Sequence, residues 1–258
     1  MLLPLLLLAQ TAPAASPSAG PPTPARSNRY AECVDQARRD PAAAERGASA
    51  WQLAGGGFLA QQCLGIAYTT QQRWDAAAAA FEAAARSAEV ARDQRSGSFW
   101  AQSGNAWLAA GDTAKAQAAL DAALIGGTLS GLDLGEAHLD RARTLVAAGR
   151  PNDARADLDR ALALAGEDPL AWLLSATLAR RTGDLLRARK DITRALALSS
   201  DDASVQLEAG NIAAVEGNEA AARAAWETAV RMAPGTGPAQ AAAGALARLG
   251  SSGAAQSR

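Results

Sequence analysis

The sequence predicts an all-α protein built as an open array of helical hairpins, and three observations carry that reading. The first is a repeat. Glycines at 111, 149, 183 and 217 are spaced 38, 34 and 34 residues apart, and each heads the same pattern. Five residues on stands alanine (Ala116, Ala154, Ala188, Ala222) and nine on a large apolar residue (Leu120, Leu158, Ile192, Trp226). Twelve on, alanine returns (Ala123, Ala161, Ala195, Ala229), and an earlier copy headed by Gln72 has Ala77, Phe81 and Ala84 at the same offsets. The second observation is the period itself: units near 34 residues are helix–turn–helix pairs that cannot bury their apolar faces alone and must stack. The third is composition. Residues are 49% hydrophobic but only 4% aromatic, alanine supplying most of the apolar share. Alanine favours helix and takes little room, so closely packed helices are expected rather than sheets. The repeats override the domain count that length alone suggests and argue for one elongated array.

Taken in order, the chain opens on an apolar run from Leu2 to Ala9, followed by the small-x-small pattern Ala12-Pro13-Ala14. Residues 1–15 therefore read as a secretory signal peptide cut after Ala14 or Ala15. No Lys or Arg precedes the run, which leaves open a start further upstream. The run is far shorter than the roughly 20 residues a membrane span needs, so none is expected. No Cys follows the small residues to take a lipid. The location implied is periplasmic or secreted. Residues 16–27 are Pro, Ala, Ser and Gly for the most part and read as a disordered linker with nothing to bury.

Residues 28–57 read as a two-helix N-terminal cap. Tyr30, Val34 and Ala37 share one helical face, and Asp40-Pro41 suits an N-cap followed by proline at the first helical position. The second helix carries Trp51 and Leu53 and ends at Gly55-Gly56-Gly57. Terminal units of such arrays are often degenerate because one face meets water. Residues 58–234 then hold five hairpins. Their first helices carry Leu64, Gly65 and Tyr68; Trp100, Gly104 and Trp107; His138, Ala142 and Leu145; Trp172, Ala176 and Ala179; and Ala209, Gly210 and Ala213. The glycine at each break supplies a left-handed backbone, and Asp112, Asp184 and Asn218 cap the helix that follows. Two connections run long, around Arg92 to Ser98 and Ile125 to Leu134, and read as loops, which tolerate insertion. A last helix, Pro238 to about Leu249 within residues 235–249, closes the array, and residues 250–258 read as a disordered tail.

The pattern W-x2-L-G-x2-Y, then A-x3-F-x2-A, then P resembles the tetratricopeptide repeat. Its leading Trp is matched by Trp100 and Trp172, its Leu-Gly-x2-Tyr by Leu64 to Tyr68, and its closing Pro by Pro234. The resemblance implies a right-handed α-solenoid whose concave face binds a protein or peptide. The positions that line this face in the family fall on Gln62, Ile66, Thr69, Asn105, Leu108, Leu139, Arg143, Leu173, Thr177, Arg180, Arg181, Leu207, Asn211 and Val215. The family's clamp for a C-terminal carboxylate needs lysines in the groove. The fifth positions here are Gln62, Ala101, Leu139, Leu173 and Leu207, so the clamp is absent. What remains is an apolar floor, with Asn105 and Asn211 to hold peptide backbone and a basic stretch at Arg143, Arg180 and Arg181. A solvated face is the alternative, with Asp140 pairing Arg143 and Asp184 near Arg181.

Other chemistries find little footing. A formal net charge of −1, with acids and bases interspersed, gives no polyanion signature, so no nucleic acid is expected. His138 stands where other copies place Trp, which is a packing position, and no Ser or Cys motif accompanies it. Gly55-Gly56-Gly57 follows no strand and ends a helix rather than cradling a phosphate. Glu167-Asp168 and Asp201-Asp202 lie at turns between hairpins, where acids answer the helix dipole and are too few to hold calcium. No cofactor or metal is expected. Cys33 and Cys63 are the only cysteines; in an exported protein they suit a disulfide, and two buried free thiols are the alternative. Without Cys-x-x-Cys no redox role follows. The function expected is a non-catalytic protein-interaction scaffold of the bacterial envelope. The alternative is a chaperone-like assembly factor that holds unfolded or extended segments of envelope proteins.

Overall fold

A computed structural model of the chain describes residues 24–256, with side chains from 28 to 250. These residues form thirteen helices and, among them, no strand. The signal peptide expected over residues 1–15, and the linker as far as residue 23, lie outside the described residues. Helices α1 (Pro24–Arg39) and α2 (Pro41–Leu53) pair at the N-terminal end. Five hairpins follow: α3 (Gly57–Thr70) with α4 (Trp74–Val90), α5 (Ser96–Ala109) with α6 (Thr113–Ile125), and α7 (Gly131–Ala147) with α8 (Ala154–Leu164). Then come α9 (Pro169–Arg181) with α10 (Leu185–Leu198) and α11 (Ala203–Val215) with α12 (Glu219–Met232), before α13 (Gly237–Gln256). Each helix packs on the next, and α1 on α3, α5 on α7, α9 on α11 and α11 on α13. The odd-numbered helices therefore form the inner layer of a solenoid.

Turn chemistry follows the sequence closely. Gly111, Gly149, Gly183 and Gly217 have φ of 83°, 75°, 86° and 77°, and Gln72 takes the same left-handed conformation at 57° without the freedom of glycine. Side chains of Asp40, Asp112, Asp184 and Asn218 accept from the backbone N–H three residues on, at 3.0, 3.0, 3.1 and 3.1 Å. Two ends differ from expectation. The first helix starts at Pro24, inside the expected linker, because proline is tolerated in a first turn whose N–H groups have no partner anyway. The last runs on to Gln256, since Gly250 does not adopt the left-handed backbone that would stop it.

Inside each hairpin a small residue of the inner helix lies under a large one of the outer helix. A Cβ on Gly65 would stand 2.5 Å from the Phe81 ring, one on Gly104 2.5 Å from Leu120, and one on Gly210 2.4 Å from Trp226. In the third and fourth hairpins Ala142 shares its buried cluster with Leu158, and Ala176 with Ala188 and Ile192. Burying each large side chain contributes roughly 1.5–3 kcal/mol.

The two long connections are more than slack. Thr128 Oγ1 accepts from the backbone N–H of Gly97 at 3.0 Å, so each insertion holds the other. Leu129 is buried with Ala123 and Ala137, and Trp100 packs against them. At the N-terminal end, Cys33 and Cys63 are joined by a disulfide with Cα atoms 6.2 Å apart. The link ties α1 to α3 in a buried cluster with Ala48 and Leu64.

Two expected outcomes follow from this packing. Replacing Ala176 by Leu overfills the fourth hairpin and should cost about 1–3 kcal/mol. Hydrogen exchange should show protection lost over α9, α10 and the neighbouring hairpins, with α2 little changed, because a solenoid couples nearest units. Reducing the disulfide, or replacing both cysteines by serine, should cost about 3–4 kcal/mol for a closed loop of this length. The loss is read as earlier melting and faster exchange of α1–α3.

Candidate functional site

The inner helices leave a row of depressions. Between α3 and α5 one of 280 Å³ is bordered by Ile66, Thr69, Gln102 and Asn105. Between α5 and α7 one of 260 Å³ is bordered by Asn105, Leu129, Asp133, Glu136 and Asp140. Between α7 and α9 one of 250 Å³ has Arg143, Val146, Thr177 and Arg181 around Leu158, Leu174 and Leu178. Toward the C-terminal end one of 380 Å³ is bordered by Arg180, Asn211, Val215, Trp226 and Leu249. Together they form a candidate interaction groove on the concave face.

The residues expected on this face divide into three groups. Ile66, Asn105, Arg143, Thr177 and Arg181 border the depressions. Gln62, Arg180 and Asn211 are engaged within the protein. Gln62 Nε2 donates to Gln102 at 3.3 Å, Arg180 Nε donates to the buried Glu208 at 2.6 Å, and Asn211 accepts from Trp226 Nε1 at 3.2 Å. The third group corrects the expectation. Leu139 and Leu173 are only 4% and 9% exposed and belong to the core. Leu139 packs with Ala171 and Leu178 of α9, and Leu173 with Val205 and Ile212 of α11. At this position adjacent inner helices touch, so the side chain is spent between hairpins. Leu207 is likewise packed into the cluster beneath α13.

Two residues that sequence reading passed over, Asp133 and Glu136, face the groove beside Asp140, whose expected pairing with Arg143 is present. The first lay in a stretch read as loop, whereas α7 begins at Gly131. Once that start is known, the spacing of three and four places all three carboxylates on one helical face. Asp140 accepts from Asn105 Nδ2 at 2.5 Å and from Arg143 at 3.0 Å. Burial pushes its carboxyl above the usual range, opposed by those two partners. Glu136 is pushed up by burial, and then by the charges of Asp133, Asp140 and Asp168.

His138 meets a polar seam on the other side of α7. Its Nδ1 lies 2.8 Å from Asp157 Oδ1, and Arg141 donates to the same carboxylate at 2.8 and 2.7 Å while also reaching Asp121 at 2.8 Å. One hairpin on, Ser175 donates to the buried Asp191, and Arg155 donates to Ser175 at 2.9 Å. Arg187 joins Asp191 to Asp159. Asp157 thus pairs with Arg141 and His138 within the third hairpin, and Arg141 carries the seam on to Asp121 of the second, which makes the His138 contact structural. Replacing Asp157 by Ala strips a half-buried histidine and a guanidinium of their acceptor and should cost about 1–3 kcal/mol, Arg141 keeping Asp121. Thermal melting should show the loss, and hydrogen exchange should confine it to α6–α9.

Among the described residues no helix is long and apolar enough to cross a membrane. No curated protein sequence matches the chain. Several solved structures share its fold. PilW, described as a widely conserved type IV pilus biogenesis factor, superposes with a TM-score of 0.70 at 20% identity, covering 85% of this chain and 98% of that one. PilF of Pseudomonas aeruginosa gives 0.67 at 17% identity, covering 84% and 97%. YrrB, described as a tetratricopeptide-repeat protein with an unusual peptide-binding site, gives 0.55 at 18% identity, covering 74% and 94%. The profile of the tetratricopeptide repeat matches residues 64–130, 139–203 and 173–237. Those segments cover most of the array described above, and the chain belongs to the tetratricopeptide repeat family.

Proposed function

We propose that this protein is a non-catalytic scaffold of the bacterial envelope that binds a protein or peptide partner along its concave groove. The observation that carries the reading is the row of adjoining depressions on the inner helices, mainly apolar between α3 and α5 and between α7 and α9 and mainly polar between α5 and α7. An extended segment lying across inner helices meets one such depression per hairpin, so modest contacts add along its length. With Gln102 Oε1 accepting from Gln62 and Asn105 Nδ2 donating to Asp140, the Gln102 Nε2 donor and the Asn105 Oδ1 acceptor remain suited to peptide backbone. A periplasmic or secreted location is supported by the disulfide, a linkage that persists in oxidising compartments, and by the signal-like Leu2 to Ala14. The likeness to PilW, a pilus biogenesis factor, is compatible with a part in assembling envelope structures.

Site-specific photo-crosslinking in the native host tests this reading. A photoreactive residue at Asn105 or Thr177 should capture one discrete partner. The same residue at Leu186, 79% exposed on the outer helix α10, should not. Equal capture from both surfaces would sink the groove assignment. N-terminal sequencing of the same material should begin near Ala15 or Ser16, and an intact Met1 on cytoplasmic protein would remove the export reading.

A further inference from the structure

The groove changes sign along α7. Asp133, Glu136 and Asp140 border the depression against α5, while Arg143, one turn further on, borders the depression against α9. In that second depression the base is Leu158, Leu174 and Leu178, and the rim carries two guanidinium groups, Arg143 and Arg181. They are unequally satisfied. Arg143 is held by Asp140 at 3.0 Å. Nearby arginines are consumed in the same way, Arg180 by Glu208, Arg141 by Asp157, and Arg155 and Arg187 by Asp159. Arg181 is exposed, and among the described residues its guanidinium has no ion-pair or hydrogen-bond partner; Asp184, the nearest expected one, caps α10 instead.

Two like charges on the rim of one apolar pocket, one of them without a counter-ion, favour a ligand that supplies both parts. An aliphatic or aromatic side chain filling the pocket displaces water from beside the guanidinium. A carboxylate next to it then meets a fork of N–H donors in a less polar setting. The groove is open on both sides of this pocket, with further depressions toward α3 and toward α13, so a segment can pass through it rather than end there.

We infer that the partner is an internal, extended protein segment with a charge gradient. An apolar residue sits in the pocket between α7 and α9, an aspartate or glutamate within one or two positions of it rests on Arg181, and a lysine or arginine further along meets Asp133 and Glu136. The inference deepens the groove-binding reading and rests on it.

Random twelve-residue peptides displayed on phage, fused through their C-termini so that no free carboxylate is offered, test it against the full chain with its disulfide intact. Three proteins are compared: the native chain, Arg181→Glu, which alters an exposed side chain, and Thr177→Trp, which fills the pocket. Matched melting temperatures establish that the variants fold. Peptides selected on the native chain should share an apolar residue beside an acid. They should bind Arg181→Glu at least tenfold more weakly, and selection on Arg181→Glu should replace the acid by lysine or arginine. Peptides that are blocked by Thr177→Trp yet lack an acid, or bind Arg181→Glu unchanged, would overturn the charge assignment while leaving groove binding intact. If Thr177→Trp blocks no selected peptide, both readings fall.

Discussion

Everything in this array depends on how closely the two helices of a hairpin approach. Glycine or alanine at one inner position removes the bulk that would hold the helices apart, and the large residue opposite occupies the space thus freed. Where the outer residue is Phe81, Leu120 or Trp226, the inner residue is glycine and there is no room even for a methyl group. Where it is Leu158 or Ile192, alanine is accommodated. The volume across each contact is balanced, as close packing demands. Because each hairpin is closed by its own contact, the array extends by stacking, and the groove is a by-product of inner helices lying side by side.

Stacking is secured differently along the chain. At the N-terminal end a disulfide and a small apolar cluster fasten the cap to the first hairpin. In the middle the long connections lock together through Thr128 and Leu129. From the second to the fourth hairpin, charge takes over, with Asp157 and Asp191 buried and each satisfied by arginine and by His138 or Ser175. Buried carboxylates stabilise little in net terms, but removing a partner from one is costly, so such a seam acts as a register device between hairpins. Glu208 with Arg180 repeats the arrangement one interface later. Most of the groove's potential binding groups near the C-terminal end are drawn into these interfaces, whereas the side chains of Arg181, Asp133 and Glu136 have no ion-pair or hydrogen-bond partner among the described residues.

The sequence by itself determined the helical class, the number of hairpins, their breaks and most of their caps. Those features rest on local rules: left-handed backbone at a break, an acceptor three residues before an N–H, and small-large pairs at fixed offsets. The cysteine pair was legible as one of two alternatives, and proximity of the cap to the first hairpin selected the bond. What only the tertiary structure decided was which side chains face the groove and which are spent between hairpins. Leu139 and Leu173 occupy groove positions by register, yet adjacent inner helices press them into the core. Arg180 finds its partner, Glu208, on the next hairpin, where no count along the chain reveals it, and Asn211 is held within its own hairpin by Trp226 and Glu208. Asp133 and Glu136 became groove residues only once α7 was seen to begin inside a supposed loop. Register along one helix is a local property, whereas exposure depends on the neighbour across the interface. That neighbour lies a whole repeat away in sequence.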